Sequence, residues 1–462
     1  MFTEAEILQA TGGRLVGAPF GTVSSVSSDS RSITHGQLFV ALEGEHFNGH
    51  DYIQQALDCG AAACIVSERW AAAQAPVSVL PLVAVTDTLW ALGSLAKHYR
   101  QRFSIPVIGV TGSNGKTTTK EMIASILSLT GRGLKTSGNL NNLIGLPQMV
   151  FQLSGADTWA VFEMGMSELG EIDRLADIAS PTIGVVLNAF PAHLASMGTV
   201  EAVARAKGEL LFKITDGGLA VINADDSRIA SLPQNPSARR LSFGINRGEV
   251  RAESIVNHGV FGQQFELVTP KGTTSVTLQA PGSHAIYNAL AASAATLDLV
   301  PLETIRIGLG QFKPYSGRFQ IERLRENIIL IDDSYNANPA SMKAALSTVQ
   351  EIKEDRTVHL VLGDMLELGA DEHQLHQQLG GRSAHVANHL YLMGTFSTDI
   401  KAGAVAAGLE ESAITCSADH NSLYQDLISR LASNDLILIK GSRGMKMDVI
   451  ATMLRTAYSN ED

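Results

Sequence analysis

The sequence predicts an α/β protein of three domains: a small N-terminal α/β domain, a central phosphate-loop domain on a parallel sheet, and a C-terminal Rossmann-like domain. Three observations carry this prediction. The chain has 462 residues, too many for one ordinary core. Short apolar runs alternate with helical patterns along most of it, the signature of parallel strands joined by crossover helices. A glycine-rich turn, Gly109-Val110-Thr111-Gly112-Ser113-Asn114-Gly115-Lys116-Thr117-Thr118, lies between an apolar run and a helical one. A hydrophobic content of 45% with 18% charged residues suits a folded chain.

Residues 1–103 read as the first unit. Gly36–Leu42, Ala63–Val66 and Leu82–Val85 have the composition of strands. Tyr52–Cys59 reads as a short helix stopped by Gly60, and a helix over Thr88–Gln101 leads out. Residues 104–317 form the second unit. Its apolar runs are Ile105–Ile108, Trp159–Phe162, Ile183–Leu187 and Leu219–Ile222. Helices are expected over Thr119–Leu129 and Ser283–Leu297. Residues 240–280 alternate in short segments with glycine punctuation, which predicts an antiparallel insertion. Residues 318–462 form the third unit, with buried strands at Ile328–Ile331, Val358–Leu362 and Leu436–Ile439.

Composition narrows the function. The net charge is -11 and no basic stripe emerges, so no nucleic-acid partner is expected. No apolar run reaches the length of a membrane span. Met1–Glu6 lacks a basic region followed by an apolar core, so the cytoplasm is the expectation. Cys59, Cys64 and Cys416 are a sparse, odd set that fits a reducing compartment.

The turn after Ile105–Ile108 carries the chemistry. A glycine-rich loop between strand and helix aims backbone N–H groups at a phosphate, and the helix N-terminus adds its positive end. Lys116 can reach the outer phosphates of a nucleotide, and the Thr117 hydroxyl can ligand Mg²⁺. The usual spacing has glycine where Val110 stands; here glycine comes one place earlier, at Gly109, and again at Gly112. Glu163 ends an apolar strand, where a carboxylate can hold Mg²⁺ or simply be solvated. His193 follows another strand end and reads either as a ligand or as a packing residue. Lys207 lies on a predicted helix and by sequence alone reads as a surface lysine. The run Asp332-Asp333-Ser334-Tyr335-Asn336-Ala337-Asn338-Pro339 offers hydrogen bonds for a ribose or an amine, and is also a good helix start.

Together these motifs resemble the Mur ligase family of cell-wall synthesis, over nearly the whole chain. Thr111–Thr118 resembles its phosphate loop, displaced glycine included. Asp29-Ser30-Arg31, Gly36–Leu42 and Gly44–Tyr52 resemble its UDP-sugar domain. Gly282-Ser283-His284 with Asn288 resembles the stretch contacting adenine, and Gly317-Arg318-Phe319-Gln320 the arginine segment between the last two domains. Glu163–Met166, Pro191–Leu194, Asp332–Pro339 and Leu362–Gly369 are most similar to the members that add D-alanyl-D-alanine. The Asp-Asn-Pro-Arg motif of the diaminopimelate-adding members is absent.

The resemblance implies an ATP-dependent ligase joining D-alanyl-D-alanine to UDP-N-acetylmuramoyl-tripeptide through an acyl phosphate. It implies that Lys116, Glu163, His193 and Lys207 are catalytic. Gly112, Ser113, Asn114, Gly115, Lys116, Thr117, Thr118, Asn288, Arg318 and Asp333 would bind ATP. Ser30, Arg31, Asn142, Tyr335, Asn336 and Asn338 would bind the other substrates. Two Mg²⁺ ions would be held by Thr117, Glu163, His193 and Lys207, with Lys207 as a carbamate. A monomer is expected. A different amide ligase, such as a folylpolyglutamate synthase, and a nucleotide-dependent switch without ligase activity are the alternatives. Asp29-Ser30-Arg31 ahead of the phosphate loop speaks against the first, and the Asp333 cluster against the second.

Overall fold

The computed structural model describes residues 1–44, 47–73, 80–191 and 197–459. Its α/β architecture rests on three principal sheets among the described residues. The first has five strands in the order Arg14–Leu15, Leu82–Val85, Ala63–Ser67, Leu38–Val40 and Val26–Ser27, parallel except for the first. A two-stranded ribbon, Phe2–Thr3 against Thr22–Val23, lies beside it.

The central sheet has nine strands among the described residues. Leu134–Lys135, Ala160–Glu163, Val107–Thr111, Ile183–Val186, Leu219–Asn223, Arg239–Gly244 and Val250–Asn257 run parallel. Gln263–Thr269 and Gly272–Leu278 then add antiparallel. The expected antiparallel insertion over 240–280 is therefore only half present. Arg239–Gly244 continues the parallel sheet because its alternate residues Leu241 and Phe243 are buried against the same core as its neighbours.

Side-chain alternation in these strands explains their burial on both faces. Val107, Ala160 and Phe162 point into one layer with Ile172, Val203 and Leu146. Ile108, Val110 and Val161 point into the other, against Met122 and Ala289 of helices Lys116–Leu127 and Ser283–Thr296. The first layer does not stop at the central sheet. It is continuous with Phe2, Leu38, Ile65 and Val83 of the N-terminal sheet through Leu92 and Leu95 of helix Thr88–Arg100. Arg174 reinforces this junction, stacking 3.6 Å from the Trp90 ring centroid and donating to its carbonyl at 2.9 Å.

The C-terminal sheet has six strands among the described residues, ordered Gln320–Arg323, Ile329–Asp333, Leu436–Lys440, Val358–Gly363, His389–Met393 and Ile414–Ser417. All are parallel but the first. Helices Glu372–Ser383 and Ser397–Ala406 beside it pack unusually close on each other. A Cβ on Gly380 would lie 1.9 Å from the Ile400 carbonyl oxygen, and one on Gly403 1.9 Å from that of Gln377. No helix among the described residues is long and apolar enough to cross a membrane.

Two stability predictions follow from this packing. Gly380→Ala must push the helix pair apart and should destabilise the C-terminal domain by about 1–3 kcal/mol; an unchanged calorimetric midpoint would contradict the close approach. Burial lowers the pKa of His50, His284, His359 and His389 from the ordinary value of 6.5. The unfolded chain then binds more protons than the folded one below that value, so stability present above pH ~6.5 is lost as the pH falls. Melting midpoints at fixed salt should drop from pH 7 to pH 5, and a flat or rising trend would refute this.

Candidate active site

Strand Val107–Thr111 ends in the phosphate loop, and helix Lys116–Leu127 begins directly after it. Gly115 turns the chain at φ 85°. A Cβ there would also lie 2.3 Å from Asn288 Oδ1, so both conformation and space require glycine. Asn188 clamps the loop: its Oδ1 accepts from the Asn114 N–H at 2.9 Å and its Nδ2 donates to the Asn114 carbonyl at 3.1 Å. The Ser113 hydroxyl donates to the Phe190 carbonyl at 3.1 Å and accepts from its N–H at 2.9 Å. Lys116 Nζ donates to the Gly112 carbonyl at 2.7 Å, arching over the loop.

Glu163 stands at the carboxyl end of the neighbouring strand, Ala160–Glu163, and is 3% exposed. Its two oxygens accept from the Thr117 hydroxyl and from Asn141 Nδ2, both at 2.9 Å. Its own N–H donates to the Thr136 hydroxyl at 2.9 Å. The carboxylate is therefore buried yet fully bonded, with the loop's threonine as one donor.

Lys207 departs from the sequence reading. It is 3% exposed, not a surface residue. Helix Val200–Phe212 packs against helix Glu171–Ala179 and the central strands, and Lys207 faces the cleft from it. Burial, and then the Lys116 cation, hold its pKa well below the ordinary lysine value. No described carboxylate pairs with it. Burial also lowers the pKa of Lys116, an effect opposed by Glu163 and assisted by Arg318.

The C-terminal domain closes the other side. Asp333, ending strand Ile329–Asp333, accepts from Lys440 Nζ at 2.5 Å and from the Phe319 N–H at 3.1 Å. The acidic pair is split, however. Asp332 is 1% exposed and turned away, accepting from the Ser334 hydroxyl at 2.5 Å and from Arg455 at 2.6 Å. Neighbours on a strand point to opposite faces, so only one can serve the cleft. Arg318 reaches Thr117 Oγ1 at 3.4 Å and lies 3.8 Å from the Tyr335 ring centroid. Among the described residues its Nε is buried without a hydrogen-bond partner, a donor suited to an anion.

These groups enclose a cleft of about 820 Å³, lined by the phosphate loop with Asn142, Glu163, Lys207, Asn288, Arg318, Asp333, Tyr335, Asn336, Asn338 and Lys440. Asn288 Oδ1 accepts from the Thr119 hydroxyl at 3.3 Å, so it also props the loop's helix. Asn336 Oδ1 accepts from the Ala337 and Arg443 N–H groups at 2.9 and 3.3 Å. Asn142 Oδ1 accepts from the Gly145 N–H at 2.8 Å, at the start of helix Gly145–Val150. Ser30 and Arg31 lie elsewhere, in the short turn Ser30–Ser32 of the N-terminal domain. Arg31 pairs with Asp29 through two bonds of 2.9 and 2.8 Å and keeps its side chain 84% exposed. His193 falls outside the described residues. Among the described residues no three His, Cys, Asp or Glu side chains cluster as a metal site.

Sequence reading missed Asn141, Asn188, Thr136 and Lys440. The amide-rich run Asn139-Leu140-Asn141-Asn142 and the strand-end position of Lys440 were the available signals.

Three family models match the chain: the Mur ligase family catalytic domain over residues 22–100, the Mur ligase middle domain over 110–296, and the Mur ligase glutamate ligase domain over 317–443. The chain is 37% identical to UDP-N-acetylmuramoyl-tripeptide--D-alanyl-D-alanine ligase of Escherichia coli strain K12, over 98% of each chain. A crystal structure of MurF from Acinetobacter baumannii superposes with a TM-score of 0.89 at 33% identity, covering 98% of this chain and 99% of that one. MurF ligase from Thermotoga maritima in complex with ADP gives 0.83 at 27% identity, covering 94% and 97%. Matched along nearly its whole length and in all three of its sheets, this chain belongs to the Mur ligase family.

Proposed function

We propose that this chain is the ATP-dependent ligase that joins D-alanyl-D-alanine to UDP-N-acetylmuramoyl-tripeptide, releasing ADP and phosphate. The observation that carries it is the full-length likeness to a relative of that activity, combined with a phosphate loop whose Thr117 bonds Glu163 at 2.9 Å. Residues 1–103 bind the UDP-sugar, 104–317 bind ATP and 318–462 receive the dipeptide. The chain works as a monomer in the cytoplasm, where ATP is supplied.

The chemistry runs in two displacements. A carboxylate oxygen of the tripeptide attacks the γ-phosphorus of ATP, and the bond to ADP breaks. The dipeptide's amine then attacks the acyl carbon, loses a proton, and expels phosphate as the amide forms. The loop N–H groups and Lys116 stabilise charge on the transferring phosphoryl group, and Arg318 offers its unpaired Nε to the same oxygens. Thr117 and Glu163 form a hard oxygen pair that fits Mg²⁺, and Lys207, as a carbamate, and His193 would complete the holders of two ions. Bound there, Mg²⁺ neutralises phosphate charge.

Lys207 fits a carbamate. Burial favours its neutral amine, the form that adds carbon dioxide, and the product is an anion where a bare ammonium would face Lys116. Tyr335, Asn336 and Asn338 offer neutral hydrogen-bonding groups beside Asp333 for a small polar acceptor.

Offered UDP-muramoyl-tripeptide and ATP, the enzyme should join D-Ala-D-Ala faster than D-Glu, L-Ala or diaminopimelate. A single amino acid joined faster than the dipeptide would overturn the assignment. Lys207→Ala should lose at least about a hundredfold in turnover, the scale of one electrostatic group in such a site, with partial recovery in added short carboxylates. Full activity in carbon-dioxide-depleted buffer would rule the carbamate out.

A further inference from the structure

The phosphate loop and the C-terminal domain are joined by two side chains 224 positions apart. Asn338 Nδ2 donates to Asn114 Oδ1 at 2.7 Å, and Asn114 Nδ2 donates back to Asn338 Oδ1 at 3.2 Å. Both residues are half-buried. Asn338 has a local duty besides: its Oδ1 caps helix Pro339–Ile352 by accepting from the Ser341 N–H at 2.9 Å. Asn114 has none. Its backbone is held by Asn188, and its side chain meets no other partner among the described residues. The central domain thus carries, inside its phosphate loop, an amide whose hydrogen bonds among the described residues go to another domain.

We propose that Asn114 and Asn338 form a clasp that registers the C-terminal domain on the phosphate loop and so couples ATP consumption to amide formation. The coupling rests on the ligase reading above; the clasp itself does not. A reciprocal amide pair makes both bonds only when the two planar groups face each other in one orientation. The adjacent contacts are more permissive, Arg318 to Thr117 being 3.4 Å long and its stacking on Tyr335 tolerant of sliding. The consequence lies between the two displacements. An amine held by a well-placed C-terminal domain attacks the acyl carbon. If that domain is displaced, water attacks the same carbon instead, the carbon–oxygen bond to phosphate breaks, and the carboxylate is regenerated. ADP and phosphate then accumulate without product.

The test uses Asn114→Ala, Asn338→Ser and the double variant. Serine keeps a helix cap at 338 but is too short to reach Asn114. One readout is product formed per ADP released. The second is the distance between spin labels on the exposed thiols Cys59 and Cys416, which lie in the N-terminal and C-terminal domains, measured with Mg²⁺ and a non-hydrolysable ATP analogue. Each single variant should lengthen or broaden the distance distribution. Each should also raise ADP release without product by about tenfold, the scale of two neutral hydrogen bonds. The double variant should be no worse than the worse single, because one contact is lost in every case. Unchanged distances in both singles, or losses that add in the double variant, overturn the clasp. Lengthened distances in an enzyme whose wild type makes no amide from D-Ala-D-Ala would leave the clasp standing and sink the ligase reading.

Discussion

Five cations, Lys116, Lys207, Arg228, Arg318 and Lys440, line one cleft with five carboxylates, Glu163, Glu171, Asp225, Asp226 and Asp333. The rest of the site depends on how those opposed charges are partnered within the fold. Each carboxylate is already committed: Glu163 to Thr117 and Asn141, Asp333 to Lys440 and Phe319, Asp225 to Tyr287, Asp226 to Ala189 and Glu171 to Glu168. Lys116 and Lys207 therefore lack a full counter-charge from the protein, and burial makes both easier to deprotonate. A polyphosphate supplies what is missing. The affinity of such a site for anions follows from its geometry, because its donors are fixed before any ligand arrives.

Fixing those donors requires backbone more than side chains. Gly115 lets the loop turn under Asn288, and Asn188 grips the loop through its main chain. Thr136 does the same for Glu163, holding its N–H from the next strand. Each removes a freedom that the reacting groups would otherwise have to give up during the reaction.

Much of this was legible in the sequence, and the divide between what was and was not is physical. The phosphate loop is a local device, so Gly115, Lys116 and Thr117 declare themselves by order alone. Glu163 was readable because a strand end is a recognisable place. Lys207 was not, since whether a helix residue faces solvent or a cleft is decided by what packs on it. Asp332 and Asp333 look alike in sequence, yet the period of a strand sends them to opposite faces. Strands His389–Met393 and Ile414–Ser417 escaped notice because the first opens on a polar histidine and the second carries polar edge residues. Asn114 and Asn338 meet only through tertiary structure, and no spacing rule reaches across 224 positions.

The continuous core from Phe2 through Leu92 to Phe162 has a mechanical meaning. Though the chain has three sheets, its first two share one interior, and Arg174 and Trp90 rivet them at the surface. Joined by a shared close-packed interior, they form one body that resists hinging, and the chain leaves it between helix Leu302–Gln311 and strand Gln320–Arg323. A molecule anchored at one end of that body and reaching for the phosphate loop at the other meets a span that does not adjust. Length then becomes a criterion of selection in its own right: a stem one residue short stops before the loop, and one residue long overshoots it.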